Sequence, residues 1–318
     1  MSAAPGPGAG RATSVRPPTA ARIVVVGDLM VDIVAALPGP LAHGSDTPAR
    51  ISHHQGGSGA NVAAWLVASR ADVAFAGRAG ADPLGDAAVA ALAGAALAVE
   101  RDPERPTGTC IVLVHPGGER TMIPDAGAND GLELRELPAA GHLHLTGYTL
   151  LRDGSRPAAL RALEIARERA MTVSVDPSSA APLAAAPGFL DWVGGAALLL
   201  PNADEARVLT GETDPDRAAR ALVRRVGSCS GSARTTPHSA EVVVTLGAGG
   251  ALWSDGERVL RAPAEPAEVV DTTGAGDAFA AGLLAARARG AEPAEQLRAG
   301  CALAARAVGI RGARPGYG

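Results

Sequence analysis

Six short runs of apolar, largely β-branched residues, each bounded by turn formers, recur along the chain at 23–27, 73–76, 143–146, 172–176, 196–200 and 242–246. Unbroken apolar character over four or five residues is what a strand covered on both faces needs, so these runs predict buried strands. Between them lie Ala-, Leu- and Arg-rich segments of helical period at 60–70, 157–170 and 217–226, with two more at 277–289 and 293–308. Strands alternating with helices predict an α/β fold, a mainly parallel central sheet with helices on both faces.

Two stretches depart from that rhythm. Residues 48–54 read as a strand without a partnering helix, and 109–114 and 119–123 flank the hairpin turn His115-Pro116-Gly117-Gly118. Together they predict a small β lid built from about 38–56 and 107–125, beside one domain spanning 22–318. A lid matters where a reacting phosphate has to be kept from water. Residues 227–240, rich in glycine and serine, read as a mobile loop, and 1–21, rich in Ala, Gly and Pro, as a disordered tail with no apolar signal core.

Composition narrows the function. The chain has 318 residues, 47% of them hydrophobic, with a formal net charge of −4 and no basic stripe. That argues against nucleic acid or an anionic membrane as partner and points to a small molecule. No apolar run approaches the ~20 residues of a membrane span. The three cysteines, Cys110, Cys229 and Cys301, are odd in number and widely spaced, which fits neither a disulfide framework nor a zinc site and predicts a cytoplasmic protein. His142 and His144 alternate on a strand and face one side, with no third ligand nearby in the sequence. All 29 basic residues are arginine, so mechanisms that demand a lysine, such as a Walker-type loop or a Schiff base, are excluded.

The most informative stretch is Asp271-Thr272-Thr273-Gly274-Ala275-Gly276-Asp277-Ala278-Phe279, which follows the strand-like 268–270 and opens the helix at 277–289. Glycines let backbone approach a ligand, and the free N–H groups of a helix start stabilise anionic oxygens. An Asp beside such a hole is placed to take a proton from an attacking hydroxyl. Taken alone, Gly-Ala-Gly-Asp fits an ordinary turn with Asp277 as a cap. The flanking Asp-Thr-Thr and the small-residue helix that follows favour the anion site.

With these residues the sequence resembles the ribokinase (PfkB) family of carbohydrate kinases, whose signature is D-T-x-G-A-G-D-x-F. The likeness runs from Ile23 to Gly316 with further landmarks in order: Gly56-Gly57-Ser58-Gly59-Ala60-Asn61-Val62-Ala63, then Gly77-Arg78-Ala79-Gly80-Ala81-Asp82-Pro83-Leu84-Gly85, then Asn202-Ala203-Asp204-Glu205, and Thr245-Leu246-Gly247-Ala248-Gly249-Gly250. The resemblance implies ATP-dependent phosphorylation of a hydroxyl on a small sugar-like metabolite. Asp277 would be the base, with Gly274, Ala275 and Gly276 supplying anion-hole amides. It further implies that Asp28, Asp32, Gly56, Gly57, Ser58 and Asn61 meet the sugar. Thr245, Gly247 and Gly250 would meet ATP, with adenine between the 262–270 loop and the 293–308 helix near Cys301. Asn202 and Glu205 would serve the phosphates and Mg²⁺ through water. Many members also hold a monovalent cation such as K⁺ on backbone carbonyls, which would fall at Asp271, Thr273 and Gly312, and lid strands often pair two subunits into a homodimer.

Ribokinase, which names the family, carries Asn where this chain has Met30 and Lys where it has Ser58. Losing these polar groups puts ribose in doubt and leaves other sugars, sugar acids and nucleosides as acceptors. Met30 and Tyr148 fit either the border of a bulkier ligand or the core; His53 and His54 fall in the lid. A dinucleotide-dependent oxidoreductase would share the sheet, but the first strand runs into Gly27-Asp28-Leu29-Met30 and not G-x-G-x-x-G. A catalytically silent sugar- or nucleotide-binding protein is the other alternative, against which the retained Asp277 and glycines argue.

Overall fold

The structure is a computed structural model that describes residues 21–117, 119–227 and 240–316. The tail expected at 1–21 and the loop expected at 227–240 lie almost wholly outside the described residues. In chain order the strands among the described residues are β1 (Ile23–Val26), β2 (Met30–Ala36), β3 (Arg50–Gly56), β4 (Val73–Gly80), β5 (Ala96–Asp102), β6 (Gly108–Val114), β7 (Arg120–Asp125), β8 (His142–Thr146), β9 (Thr172–Asp176), β10 (Leu198–Leu199), β11 (Glu241–Thr245), β12 (Ala251–Ser254) and β13 (Val259–Ala262). Nine of them form one sheet in the order β13-β12-β11-β10-β9-β8-β1-β4-β5. It is parallel from β5 to β11 and closes with the antiparallel pairs β11–β12 and β12–β13.

Strand β1 shows why its run is apolar throughout. Val24 and Val26 pack into one core with the helices Arg156–Glu168 and Pro215–Gly227, while Ile23 and Val25 pack into a second core with Ser58–Ala68, Ala275–Ala288 and Pro293–Val308. Successive side chains point to opposite faces, and each face is covered. Among the described residues no helix is long and apolar enough to cross a membrane.

A separate four-stranded sheet, β3-β2-β6-β7, contains the two predicted lid segments and adds β2, which the sequence pattern did not mark as a strand. Register fixes its two faces. Ile33 pairs with His53 and Ile111, Ile111 with Ile123, and Ala35 with Ile51, so these share one face. Ile51, Ile111 and Ile123 on that outer face are exposed. Asp32, Cys110 and Pro124, flanked by Met30, Val112, Met122 and Arg120, form the inner face.

One expected element is absent. Residues 268–270 form no strand, because Val269 and Val270 are exposed and lack a neighbouring strand edge; the amides of Val270 and Asp271 donate instead to the carbonyl of Val308 at the end of a helix. The loop is therefore pinned to the helix Pro293–Val308 and not to the sheet.

Candidate active site

The helix Ala275–Ala288 begins after Gly274, whose φ is 74°, a left-handed conformation; a Cβ there would lie 2.7 Å from the Ala313 carbonyl oxygen. Only glycine fits that turn. A Cβ on Gly276 would meet nothing within 4 Å. The amides of Ala275, Gly276 and Asp277 belong to the first turn, which has no intrahelical carbonyls to bond; that of Ala275 donates to the Thr272 carbonyl at 3.3 Å, and all three residues line a cavity.

Asp277 is fixed from both sides. Its Oδ1 accepts from the Ser58 hydroxyl at 2.7 Å, and its Oδ2 from the Asn61 side-chain amide at 2.9 Å. Asn61 Oδ1 in turn accepts from Arg314 Nε at 3.0 Å, while Arg314 Nη2 donates to the carbonyl of Gly56. Removal from water raises the Asp277 pKa to about 7; the bonds from Asn61 and Ser58 restrain the rise, and the charges of Asp176 and Asp28 add to it. The result is a carboxylate that gains and loses its proton near neutrality.

Asp277 lines a cavity of about 800 Å³ at the carboxyl ends of the parallel strands, the edge where such sheets bind ligands. The inner face of the second sheet forms one wall with Met30, Asp32, Cys110, Met122 and Pro124. Asp28, Gly57, Ser58 and Asn61 also line it, whereas Gly56 supports the wall by holding Arg314. Asp28 Oδ1 accepts from the amide of Gly59 at 3.2 Å. Desolvation pushes Asp32 up to about 6 against the opposing charge of Arg314.

A second cavity of about 570 Å³ is lined by Thr245, Gly247, Gly250, the 264–267 segment, Val269, Cys301, Ala304, Ala305 and Val308. Thr245, Thr272, Ala275, Gly276 and Phe279 line both cavities. The helix start with its amides is thus the boundary between them.

Asn202 and Glu205 form a reciprocal helix cap: the Glu205 amide donates to Asn202 Oδ1 at 2.9 Å, and Asn202 donates its backbone amide and its side-chain amide to the Glu205 carboxylate. Both residues line the first cavity, as does Asp176 at the end of β9. Burial holds Asp176 and Glu205 above the ordinary carboxylate range, with the charge of Glu205 adding to the rise of Asp176 and that of Asp204 to the rise of Glu205. A divalent cation is the group that relieves two desolvated carboxylates, so the oxygen donors here fit Mg²⁺. Among the described residues no three His, Cys, Asp or Glu side chains form a direct metal cluster.

Just before the start of the helix Ala275–Ala288, Asp271 Oδ1 accepts from the Thr273 amide and Oδ2 from the Gly312 amide, and Arg120 donates to both Asp271 and the Thr273 hydroxyl. The three residues expected at a monovalent cation are together, with a guanidinium beside them. His54 lies against Gly312, while His53 is exposed on β3. His142 and His144 both bond the hydroxyl of Ser174, which explains their shared face, and burial lowers them to about 3 and 4.

Sequence reasoning missed Asp176 and Arg120, and the part that Arg314 plays in holding Asn61. Asp176 had a signal, since it ends a predicted parallel strand at the ligand edge. The two arginines had none, because each acts across more than 100 positions of chain.

A family model described as pfkB family carbohydrate kinase matches residues 20–317. A 2-dehydro-3-deoxygluconokinase from Thermoproteus tenax is 30% identical over 228 residues, 66% of this chain and 69% of that protein. The solved structure of Arabidopsis thaliana ribokinase complexed with ribose and ATP is 26% identical with a TM-score of 0.73, covering 94% of this chain and 95% of the other. The adenosine kinase of Sinorhizobium meliloti shares the fold with a TM-score of 0.80 at 24% identity, covering 92% and 95%. A ribokinase-like sheet, a glycine-bounded helix start between two cavities and a match over nearly the whole chain agree, and the protein belongs to the pfkB family of carbohydrate kinases, phosphotransferases that act on a sugar hydroxyl.

Proposed function

We propose that this chain transfers the γ-phosphoryl group of ATP directly to a hydroxyl of a small sugar or sugar acid, with Asp277 as general base. The observation that carries the reading is the sharing of Ala275 and Gly276 between the two cavities, with Asp277 on the side of the larger one. An acceptor in the larger cavity puts its hydroxyl against Asp277, whose pKa near 7 suits it to take that proton at neutral pH. Adenine occupies the smaller cavity between the 262–270 loop and the helix Pro293–Val308, with Thr245, Gly247 and Gly250 at the phosphates and ribose. The amides of Gly274, Ala275 and Gly276 then face the transferring group, and their fixed dipoles stabilise the charge that spreads over its oxygens. No covalent enzyme intermediate is needed.

Asp176, Glu205 and Asn202 would hold Mg²⁺, largely through water, and the ion would supply charge neutralisation at the phosphates. Asp28 and Asp32 offer acceptors for sugar hydroxyls, with Gly57 admitting the sugar close to the backbone. The second sheet acts as the lid, since its inner face roofs the acceptor cavity. Its exposed isoleucines support pairing of two copies through the outer face, and the free, buried thiols of Cys110 and Cys301 support a cytosolic setting.

The Thermoproteus tenax relative is named for a sugar acid. The test is ADP release across sugars, sugar acids and nucleosides with Mg²⁺ and ATP. Turnover with at least one sugar or sugar acid, lost in Asp277→Asn, is the expected result; no acceptor-dependent ADP release from any of them refutes the proposal.

A further inference from the structure

Two guanidinium groups line the larger cavity, Arg120 and Arg152. Arg120 is taken by Asp271 at 2.6 Å. Arg152 follows the helix Tyr148–Leu151 at the carboxyl end of β8, is half-buried, and stacks with its guanidinium carbon 5.2 Å from the centre of the Tyr148 ring. Among the described residues no carboxylate forms an ion pair with it. The backbone amide of Tyr148 donates to the Ser178 hydroxyl at 3.3 Å. The stacked ring therefore orients a cation at the cavity wall without neutralising it.

The acids of the same cavity do not account for that charge, because each has partners of its own. Asp28 bonds the amide of Gly59, Asp277 bonds Ser58 and Asn61, Glu205 bonds Asn202, Asp176 bonds the amide of Ser178, and Asp32 faces the charge of Arg314. A neutral sugar is recognised through hydroxyls, for which Asp28 and Asp32 already serve. A partly desolvated guanidinium with five donors and no acceptor matches a planar or tetrahedral oxyanion instead.

We propose that Arg152 binds an anionic group on the acceptor, a carboxylate or a phosphate, so that the preferred acceptor is a sugar acid or sugar phosphate and not a neutral sugar or nucleoside. This rests on the larger cavity being the acceptor site, as proposed above. It makes Arg152 the specificity-determining residue, distant in sequence from every family motif.

Binding without ATP tests the inference separately from catalysis. Isothermal titration of the full chain would use 2-keto-3-deoxy-D-gluconate, D-gluconate and D-ribose 5-phosphate as anionic probes, with D-gluconamide and D-ribose as neutral ones. At least one anionic probe should bind about 10- to 100-fold more tightly than its neutral counterpart, the range of a charged hydrogen-bonded contact. In Arg152→Gln that advantage should fall to about threefold or less, with Arg152→Lys retaining part of it and thermal melts confirming that both variants fold. Whether the carboxylates or the phosphate gain the advantage identifies the source of the anion. If no anionic probe binds more tightly than the neutral ones, or if Arg152→Gln leaves the advantage intact, the inference is overturned. A chain that shows the advantage but releases no ADP would sink the kinase reading alone.

Discussion

Arg120 of β7 and Asp271, three residues before the glycine that opens the helix Ala275–Ala288, form an ion pair at 2.6 Å that ties the second sheet to that helix start. Both side chains are largely sheltered, 22% and 16% exposed, and the pair is braced by the Thr273 and Gly312 amides on the same carboxylate. Those amides, with Arg120, hold Asp271 below the ordinary carboxylate range despite partial burial. The loop therefore carries its own fixed cation. Added K⁺ should change the wild-type rate by less than about twofold, whereas Arg120→Gln should become K⁺-stimulated and lose about 1–3 kcal/mol of stability in urea titrations. Strong K⁺ dependence of the wild type, with no difference in the variant, contradicts this account.

Replacing Asp277 with Asn keeps the shape of the side chain and removes its basicity. Turnover should drop by at least ~10²-fold, the usual scale of a general base, while ATP affinity stays within about threefold. Near-normal turnover would move the base elsewhere.

The pH profile follows from the same carboxylate. Because Asp277 is raised to about 7 and must be ionised to act, kcat should climb between about pH 5.5 and 8, where an aspartate of ordinary pKa gives a flat line. Stability should run the other way. In the folded chain Asp277 and Asp32, the latter at about 6, hold protons that the unfolded chain has released, so the melting temperature without ligands should fall as pH rises from about 5 to 8. Asp277→Asn should flatten part of that slope, and a melting temperature that rises over this range defeats the argument.

Gly276 separates folding from function. A methyl group there meets open space at a helical position, so Gly276→Ala should be neutral or stabilising by up to about 1 kcal/mol. The same methyl enters the boundary between the cavities, on the path proposed for the phosphates, and kcat/KM should fall at least about tenfold. Calorimetry and ADP release on one preparation decide it; a variant that is both stable and fully active removes Gly276 from the phosphate path.

Much of the fold was legible because covered strands and amphipathic helices write their periods locally. The six predicted strands and five predicted helices all appear, with ends shifted by a few residues. The apolar run at 268–270 misled, since two exposed valines beside a loop look like a strand until their amides are seen bonding to Val308. At the site, residues of the glycine motifs meet around Asp277, but their contacts were hidden. Ser58 and Asn61 reach Asp277 over more than two hundred positions, and Arg314 reaches Asn61 over still more. Such contacts depend on how whole elements pack, and no short window of sequence contains them.

Five residues line both cavities, so the compartments proposed for nucleotide and acceptor are separated by no more than the helix start and its neighbours. A single molecule joining an adenosine moiety to an anionic sugar through a short phosphate-like bridge could occupy both compartments at once, gaining from the linkage because the second half docks at high effective concentration. Bisubstrate compounds are accordingly the natural starting point for inhibitors of this enzyme.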